Sequence, residues 1–180
     1  MKFFLTDVAG HDNCSVSSGS LQWIIRFKQR PFRLPATRLG RVSMSVRSNV
    51  VLQHVAVENQ HDMEAMLATL DVESPVRDEV AGKCYEGVEA VKQRYTELWT
   101  AFPDFRVFPR QLIEEGNTIV MLADYSGTHR GQYGDAAPTG KSFNVRIANF
   151  IDFNGDKIVR ETIFMDLASQ SRQLGLSVRR

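Results

Sequence analysis

The chain has 180 residues, of which 43% are hydrophobic and 24% are charged, and its formal net charge is +1. This length and composition are typical of one globular domain with an appendage, and no apolar run approaches the roughly 20 residues that a membrane helix needs. The two cysteines, Cys14 and Cys84, fit no metal spacing and do not indicate a disulfide framework, so we expect a reducing, cytoplasmic compartment.

The charges are unevenly distributed along the chain. Residues 1–47 contain eight basic and two acidic side chains, whereas the remainder contains 14 basic and 19 acidic side chains. The part of the chain that has folding patterns is therefore mildly acidic, which gives a nucleic-acid partner little electrostatic support. Together with the lack of a long apolar run, this leads us to expect neither a nucleic-acid nor a membrane partner.

Residues 1–42 do not have the pattern of a folded domain. Gly, Ser, Pro and Arg are scattered without a sustained period, and no acidic residue occurs between Asp12 and Glu58. We interpret this stretch as a basic, disordered extension that precedes a single domain over residues 43–180. Two alternatives stay open: a mitochondrial transit peptide, which is typically Arg-rich, Ser-rich and acid-poor, and a true start at Met44.

Three helices are predicted in the first half of the domain. Apolar residues recur at helical spacing over residues 46–59, 63–70 and 88–102. Asp62 is a suitable N-cap for the second helix, and Pro103 ends the third. The stretch between these two helices, residues 72–87, is predicted as a short extended piece followed by a loop.

Four strands and a last helix are predicted in the second half. Residues 105–114, 118–129, 143–153 and 157–165 alternate in polarity and are separated by turns or loops that contain glycine. Asp166 then caps a short helix that ends at Gly175. Helices followed by antiparallel strands indicate an α+β fold. A curved sheet that wraps a long helix leaves a cavity between them, and this cavity is the natural ligand site.

Four short motifs in the domain point to one family. They are the stretch Ala101–Phe105, the stretch Tyr125–Gly131, the loop Pro138–Lys141 and the final helix with its cap, Asp166–Gly175. In their order and spacing they resemble the motifs of the SnoaL-like polyketide cyclases, which have the nuclear transport factor 2-like fold. The resemblance covers roughly residues 46–176, which is nearly the whole domain.

This resemblance implies a cone-shaped α+β barrel in which three N-terminal helices pack on a curved antiparallel sheet. It also implies a homodimer formed through the sheet, a hydrophobic small molecule as ligand, and no metal or cofactor. The characterised cyclases of the family close a ring by intramolecular aldol condensation, with one acidic side chain as general acid/base in an apolar pocket. The implied activity is that of a polyketide or ester cyclase-like lyase or isomerase.

The last predicted strand departs from the family pattern at the catalytic position. The cyclases typically have Glu-His-Trp-Asp there, with the Asp as the acid, whereas this chain ends the same stretch on Ile163, which carries no titratable proton. Alternation along the strand places Glu161 on the same face as Ile163. Desolvation in a cavity would raise the pKa of this carboxyl and suit it to acid/base catalysis. Alternatively, Glu161 lies at the rim and pairs with an arginine such as Arg146.

Further candidate residues lie on the neighbouring strands. His129 is a second proton-transfer candidate, or it binds the loop that follows and holds it closed; Tyr125 shares its face. Asn149 interrupts the apolar face of the next strand and would bind a carbonyl, unless a bulge turns Phe150 inward to wall an aromatic ligand. The sequence thus predicts two catalytic residues, Glu161 and His129, and four substrate-binding residues, Tyr125, Asn149, Phe150 and Ile163.

Two functions compete on this reading of the sequence. The first is a small enzyme that performs cyclisation, isomerisation or hydrolysis on a hydrophobic, carbonyl-bearing substrate such as a polyketide, and Glu161 on the cavity face favours it. The second is a non-catalytic ligand-binding or dimerisation domain of the same fold, and Ile163 in the catalytic position favours it.

Overall fold

The computed structural model of the chain describes residues 44–71, 73, 75–79 and 83–177. All of them belong to one compact unit, Arg41–Arg180. The predicted extension, residues 1–42, lies outside the described residues, so its interpretation as a disordered segment, a transit peptide or sequence before the true start stays a prediction.

The helices of the described residues begin where the sequence predicts. They are α1 (Val46–Gln60), α2 (Met63–Leu67), α3 (Val88–Ala101) and α4 (Leu167–Leu174). Ser45, Asp62 and Asp166 each accept a hydrogen bond from the backbone N–H three residues later, which fixes the first turn of α1, α2 and α4. No helix in this part of the chain is long and apolar enough to cross a membrane.

Six strands form one curved, unclosed sheet. They are β1 (Val76–Glu79), β2 (Lys83–Glu86), β3 (Arg106–Glu115), β4 (Thr118–Thr128), β5 (Ser142–Asn154) and β6 (Lys157–Met165), in the order β2-β1-β6-β5-β4-β3. Strands β3 to β6 pair antiparallel in succession. The turns of the two tight hairpins contain Gly116 and Gly155, both with a φ of 58°. The predicted α+β class with a curved sheet is confirmed.

The loop predicted between α2 and α3 is in fact partly strand. β1 and β2 pair antiparallel there, and β1 also pairs in parallel with β6, so the sheet is mixed and not wholly antiparallel. Each of these strands has only four residues, which is too short for an alternating pattern to stand out. The parallel pairing matters for the site because it places Arg77 directly beside Glu161.

The two faces of the sheet differ sharply in burial. Along β5, Phe143, Val145 and Ile147 are buried, whereas Asn144 and Arg146 between them are exposed. We call the buried side the inner face and the other side the outer face. The inner face forms one hydrophobic core with residues of α1 and α3, such as Val51, Tyr95 and Leu98. The core therefore lies between the helices and the sheet, as the pattern of the strands predicts.

Candidate active site

A cavity of about 310 Å³ lies among α3, α4 and the inner face of the sheet. Its apolar and aromatic wall residues include Leu98, Phe105, Tyr125, Phe143, Ile163 and Met165. Four charged side chains line it as well: Arg77, Glu79, Lys83 and Arg94. An apolar wall with a few charged groups is the usual make-up of a small-molecule site.

A wider groove of about 1040 Å³ runs along the surface beside α3. Glu79, Lys83, Arg94 and Tyr133 line both this groove and the cavity, which places these four side chains at the mouth of the cavity. The groove is otherwise lined mainly by exposed polar residues. We therefore take the smaller, more apolar cavity as the candidate ligand site.

Glu161 is buried at the centre of a hydrogen-bonded cluster behind the cavity wall. Its Oε2 accepts hydrogen bonds from Arg77 Nη1 at 3.2 Å and from the Tyr95 hydroxyl at 3.1 Å. Its Oε1 accepts a hydrogen bond from Asn149 Nδ2 at 2.8 Å. Glu161 is thus paired with an arginine, as the alternative prediction states. It differs from that prediction in being buried and in having Arg77, not Arg146, as its partner.

The ionisation of Glu161 differs from the expected one. Burial raises the pKa of this carboxyl, as predicted, but Arg77, His54 and the hydrogen bonds from Asn149 and Tyr95 lower it more, so the pKa lies below its usual value. The expectation of a raised pKa at this residue is wrong for that reason. Glu161 is therefore a carboxylate at neutral pH, which can accept a proton but has none to donate.

Arg77 connects the buried cluster to the cavity, because it lines the cavity and also contacts Glu161. Its Nη1 donates to the Tyr95 hydroxyl at 2.8 Å, and its guanidinium carbon lies 4.7 Å from the centre of the Tyr95 ring. Its Nε donates to Glu79 Oε1 at 3.2 Å, and Arg94 donates to the two oxygens of Glu79 at 2.7 and 3.0 Å. A guanidinium stays charged in such a setting, so a permanent positive charge stands in the cavity wall.

His54, on α1, extends the cluster and does not line the cavity. Its Nδ1 lies 2.6 Å from Thr69 Oγ1, and its Nε2 lies 3.3 Å from the Tyr95 hydroxyl. Burial lowers the pKa of His54, and Arg77 lowers it further, whereas Glu161 raises it; the net shift is downward. The ring is therefore neutral at neutral pH and contributes hydrogen bonds rather than charge.

Glu58, also on α1, is a second buried acid. The residue is 2% exposed, and its Oε1 has no hydrogen-bond partner among the described residues. Burial raises the pKa of Glu58 to about 8; Glu161 adds to this rise, while Arg77 and Arg94 oppose it. This carboxyl is therefore mainly protonated at neutral pH, in contrast to that of Glu161.

Besides Tyr95, three members of this cluster are not among the predicted site residues, namely His54, Glu58 and Arg77. A signal for two of them was present, since His54 and Glu58 share the helix face of Val51 and Val55, which apolar spacing marks as buried. Polar groups on a buried face must be paired or change their ionisation. The third, Arg77, had no such signal, because it lies on the short strand β1.

Two of the predicted binding residues line the cavity, and a third lies beside it. Tyr125 and Ile163 are wall residues, and the Tyr125 ring centre lies 5.1 Å from that of Phe105. Asn149 is buried on the inner face, where its amide nitrogen binds Glu161 and its Oδ1 has no partner among the described residues. A contact of Asn149 with a substrate carbonyl would need its amide nitrogen, which already donates a hydrogen bond to Glu161.

Phe150 lies on the outer face and is 41% exposed. The pairing of β5 with both neighbours is regular at this residue, and its register shifts only farther along, between Asp152 and Phe153. The bulge that would turn Phe150 inward therefore does not occur at this position. Its assignment as a ligand-binding residue is wrong, and Asn149 is the residue that faces inward.

His129 lies at the other end of the inner face, against the loop that follows β4. The Thr139 backbone N–H donates to its Nδ1 at 3.3 Å, and Thr139 Oγ1 lies 3.2 Å from the same atom. Its ring packs against those of Phe102 and Tyr133, with centres 5.5 and 6.1 Å apart. The structure thus places His129 with the loop and not in the Glu161 cluster, as the loop-holding alternative predicts.

The cluster combines three groups that can take part in acid/base chemistry, of which only Arg77 lines the cavity. Glu161 is a base, Arg77 is a fixed positive charge that can stabilise developing negative charge, and Glu58 holds a proton in a buried setting. In the part of the chain that the structure describes, no group of three or more His, Cys, Asp or Glu side chains could hold a metal ion.

Comparisons with known proteins bear on this arrangement. A profile of the family described as SnoaL-like polyketide cyclase matches residues 48–174. A search of curated proteins gives no match.

Solved structures share the fold at low sequence identity. AclR, a proposed hydroxylase from Streptomyces galilaeus, aligns with a TM-score of 0.65 and 19% identity over 76% of this chain and 89% of that one. A proposed SnoaL-like polyketide cyclase from a Jannaschia species aligns with a TM-score of 0.66 and 15% identity over 77% of this chain and 100% of that one. IdmH, a proposed polyketide cyclase from Streptomyces antibioticus, gives a TM-score of 0.61 and 19% identity over 72% and 99%. At these identities the likeness concerns the fold.

Proposed function

The chain belongs to the SnoaL-like polyketide cyclase family, and from this premise we propose that it is an enzyme that performs acid/base chemistry on a hydrophobic, carbonyl-bearing small molecule such as a polyketide. Cyclisation, isomerisation and hydrolysis are the reactions that this chemistry includes. One observation carries the proposal: an apolar cavity has Arg77 in its wall, and the Glu161 carboxylate is bonded to that arginine from behind.

In this proposal Arg77 and Glu161 act as one unit. Glu161 does not itself line the cavity, so the step requires the Arg77 side chain to shift and let the substrate reach the carboxylate. Glu161 then takes the proton from the carbon beside the substrate carbonyl, and the electron pair of the broken C–H bond moves to the carbonyl oxygen to give an enolate. Negative charge thereby moves from Glu161 to the substrate, and Arg77 stabilises it there. The enolate carbon then attacks a second carbonyl and closes a ring, and protonated Glu161 gives its proton to the alkoxide that forms. In an isomerisation, Glu161 instead returns the proton to another carbon of a conjugated enolate.

The remaining predicted residues have supporting parts in this proposal. Burial and, next, Glu58 raise the pKa of Tyr125, so its hydroxyl stays protonated and can donate a hydrogen bond in the cavity. Asn149 orients the Glu161 carboxylate through its hydrogen bond. Ile163 provides apolar wall at the position where relatives have their acid. For His129 we propose the loop-holding role in place of proton transfer.

Exchange of substrate protons with solvent tests this proposal without knowledge of the product. A panel of hydrophobic ketones and β-diketones is incubated with the protein in heavy water, and deuterium uptake beside the carbonyl is followed by mass spectrometry. We expect the protein to accelerate uptake, and Glu161→Gln to reduce that acceleration about 10²–10⁴-fold. Asp166→Asn is the matched control, because asparagine is an equally good N-cap and should leave the rate unchanged.

A second candidate function is ligand binding without catalysis. The observation that favours it is the full engagement of Glu161, since both of its oxygens accept hydrogen bonds and its pKa is lowered. Ketones that bind in the cavity without any acceleration of deuterium uptake would replace the enzymatic proposal with this one.

We also propose that the protein is a homodimer that pairs through the outer face of its sheet. Ile113, Val120 and Phe150 lie side by side on β3, β4 and β5, and the Phe164 ring centre on β6 lies 5.6 Å from that of Phe150. Phe150 and Phe164 are 41% and 47% exposed. An exposed apolar patch of this kind is typical of an interface, and a symmetric pair would bury it on both copies.

Light scattering tests the dimer. We expect about twice the chain mass of 20.4 kDa at micromolar concentration, and the single-chain mass for the double variant Phe150→Glu/Phe164→Glu. Gln93→Glu, on the exposed side of α3, is the control and should remain dimeric. A wild-type protein with the single-chain mass at high concentration would contradict the proposal.

A further inference from the structure

The charged groups around the cavity leave a positive balance. Arg77, Lys83 and Arg94 contribute three positive charges, and Glu79 in the wall and Glu161 behind it contribute two negative charges. The excess comes from Lys83, which is exposed at the mouth of the cavity, whereas Arg77 and Arg94 balance the two carboxylates. The mouth therefore favours a ligand that brings negative charge. This balance holds only if Glu58, the remaining acid of the cluster, is neutral.

The position of Glu58 is unusual for an acid. It is buried on α1, and its Oε1 has no hydrogen-bond partner in the described part of the chain. The charged and titratable groups that interact electrostatically with it come from four other elements: Arg77 on β1, Arg94 and Tyr95 on α3, Tyr125 on β4 and Glu161 on β6. A second carboxylate beside Glu161 is costly there, and protonation of Glu58 avoids it.

We propose that the cavity binds its ligand through an oxygen that carries or develops negative charge, such as that of an enolate or a phenolate. We further propose that the proton on Glu58 prevents repulsion between this negative charge and a second buried carboxylate. This inference rests on the proposed function, in which the substrate has a carbonyl group. It adds the role of Glu58 in binding the negatively charged form of the carbonyl oxygen. Glu58 does not line the cavity. It is a positioning residue that acts on the ligand through the electrostatic environment of Arg77 and Tyr125.

The ionisation of the two acids supports this proposal. The pKa of Glu58 is raised to about 8, while that of Glu161 is lowered. At neutral pH the site therefore has two anions, Glu79 and Glu161, and both contact Arg77. Above the pKa of Glu58 it has three, and the third repels a negatively charged ligand oxygen in a region that water screens poorly. Affinity for an anionic ligand should then fall as the pH rises.

Binding of 4-nitrophenol tests the proposal, because its phenol and phenolate forms absorb at different wavelengths and can be quantified separately. We expect the wild-type protein to bind the phenolate in preference to the phenol near pH 7, and its affinity for the phenolate to fall about tenfold near pH 9.5. Glu58→Gln has a neutral side chain at every pH, so its phenolate affinity should change little over this range. Glu64→Gln, an exposed acid on α2, is the matched control and should follow the wild type.

A second measurement needs no variant. In protein labelled with ¹³C at the glutamate carboxyl carbons, one buried carboxyl should titrate near neutral to weakly basic pH. Because the phenolate binds better to the form with protonated Glu58, saturation with 4-nitrophenol should move that titration to higher pH. A titration that does not move when the probe binds would overturn the proposal.

Other outcomes would overturn it as well. They are the absence of phenolate binding by the wild type near pH 7, preferential binding of the neutral phenol, and an identical pH profile for Glu58→Gln. Failure of the proposed function looks different: nitrophenolate binds with the expected pH dependence, but deuterium uptake by ketones is not accelerated. The two proposals can therefore fail separately.

Discussion

The sheet has an arginine–carboxylate pair on each face, and the two pairs differ in their surroundings. On the inner face, the side chains of Arg77 and Glu161 are 2% and 5% exposed. On the outer face, Asp124 is covered, but its partners Arg110 and Arg146 are 58% and 71% exposed, so water reaches the charges. Water and salt weaken the outer pair, whereas the inner pair acts in a poorly screened region. An arginine–carboxylate contact therefore has a strong electrostatic effect on the buried inner face and a weak one on the outer face, where water screens it.

Breaking the inner pair should have the largest effect on stability. Glu161→Gln removes the more deeply buried of the two carboxylates that contact Arg77 and leaves Glu79 as the other; loss of one partner of a buried pair costs up to about 3–5 kcal/mol. We expect the free energy of unfolding, measured by urea denaturation, to fall by this amount. Activity of the variant should be measured where circular dichroism shows it folded.

Removal of both partners is the control for that measurement. Arg77→Met/Glu161→Leu replaces the pair by apolar groups of similar size, which is often neutral or stabilising. We expect the double variant to be markedly more stable than Glu161→Gln. A double variant that is as unstable as the single variant would show that packing, and not the uncompensated charge, sets the cost.

Glu58 should make stability depend on pH in the opposite sense to Glu161. A carboxyl whose pKa is higher in the folded than in the unfolded protein stabilises less as pH rises between the two values, here from the usual 4.5 to about 8. Each unit of difference corresponds to about 1.4 kcal/mol. We expect Tm of the wild type to fall over this range relative to that of Glu58→Gln.

The titration of Glu161 does not obscure this test. The pKa of Glu161 is lower in the folded than in the unfolded protein. Its contribution to the free energy of unfolding is therefore lost on acidification, as the pH falls from the usual carboxyl pKa towards the pKa in the folded protein. Thermal melts of the wild type, Glu58→Gln and Glu64→Gln at several pH values should therefore separate the two acids. Parallel curves for the wild type and Glu58→Gln above pH 5 would contradict the raised pKa of Glu58.

Breaking the outer pair should have the smallest effect. Asp124→Asn removes the charge that Arg110 and Arg146 contact but keeps a polar side chain of the same size. Because exposed ion pairs contribute little and are screened by salt, we expect a small change in Tm that shrinks further at high salt. A loss as large as that of Glu161→Gln would contradict the contrast between the two faces.

Much of the fold could be predicted because local patterns determine it. Side-chain caps at Ser45, Asp62 and Asp166 mark helix starts, and alternation over β4, β5 and β6 marks strands that have one buried face. The strands β1 and β2 could not be predicted, because four residues are too few for a periodic pattern and their pairing depends on the distant strand β6.

The site could be predicted only in part for the same reason. Alternation placed Glu161 and Ile163 on one face of β6, and the structure agrees. The ionisation of Glu161 depends on Arg77, 84 positions away in the chain, so no local pattern could give its direction. Glu58 lies on a helix face whose burial could be predicted. That its Oε1 has no hydrogen-bond partner among the described residues depends on the tertiary structure and could not be predicted.

The parallel pairing of β1 with β6 also bears on how the protein folds. The hairpins of β3 to β6 join neighbouring parts of the chain, whereas the pairing of β1 must close a loop of more than eighty residues. Contacts across long loops form late, because the entropy of closure is lost before they contribute. We therefore expect the charged cluster to be completed near the end of folding. Substitutions at Arg77 should accordingly accelerate unfolding in stopped-flow experiments and leave the folding rate nearly unchanged.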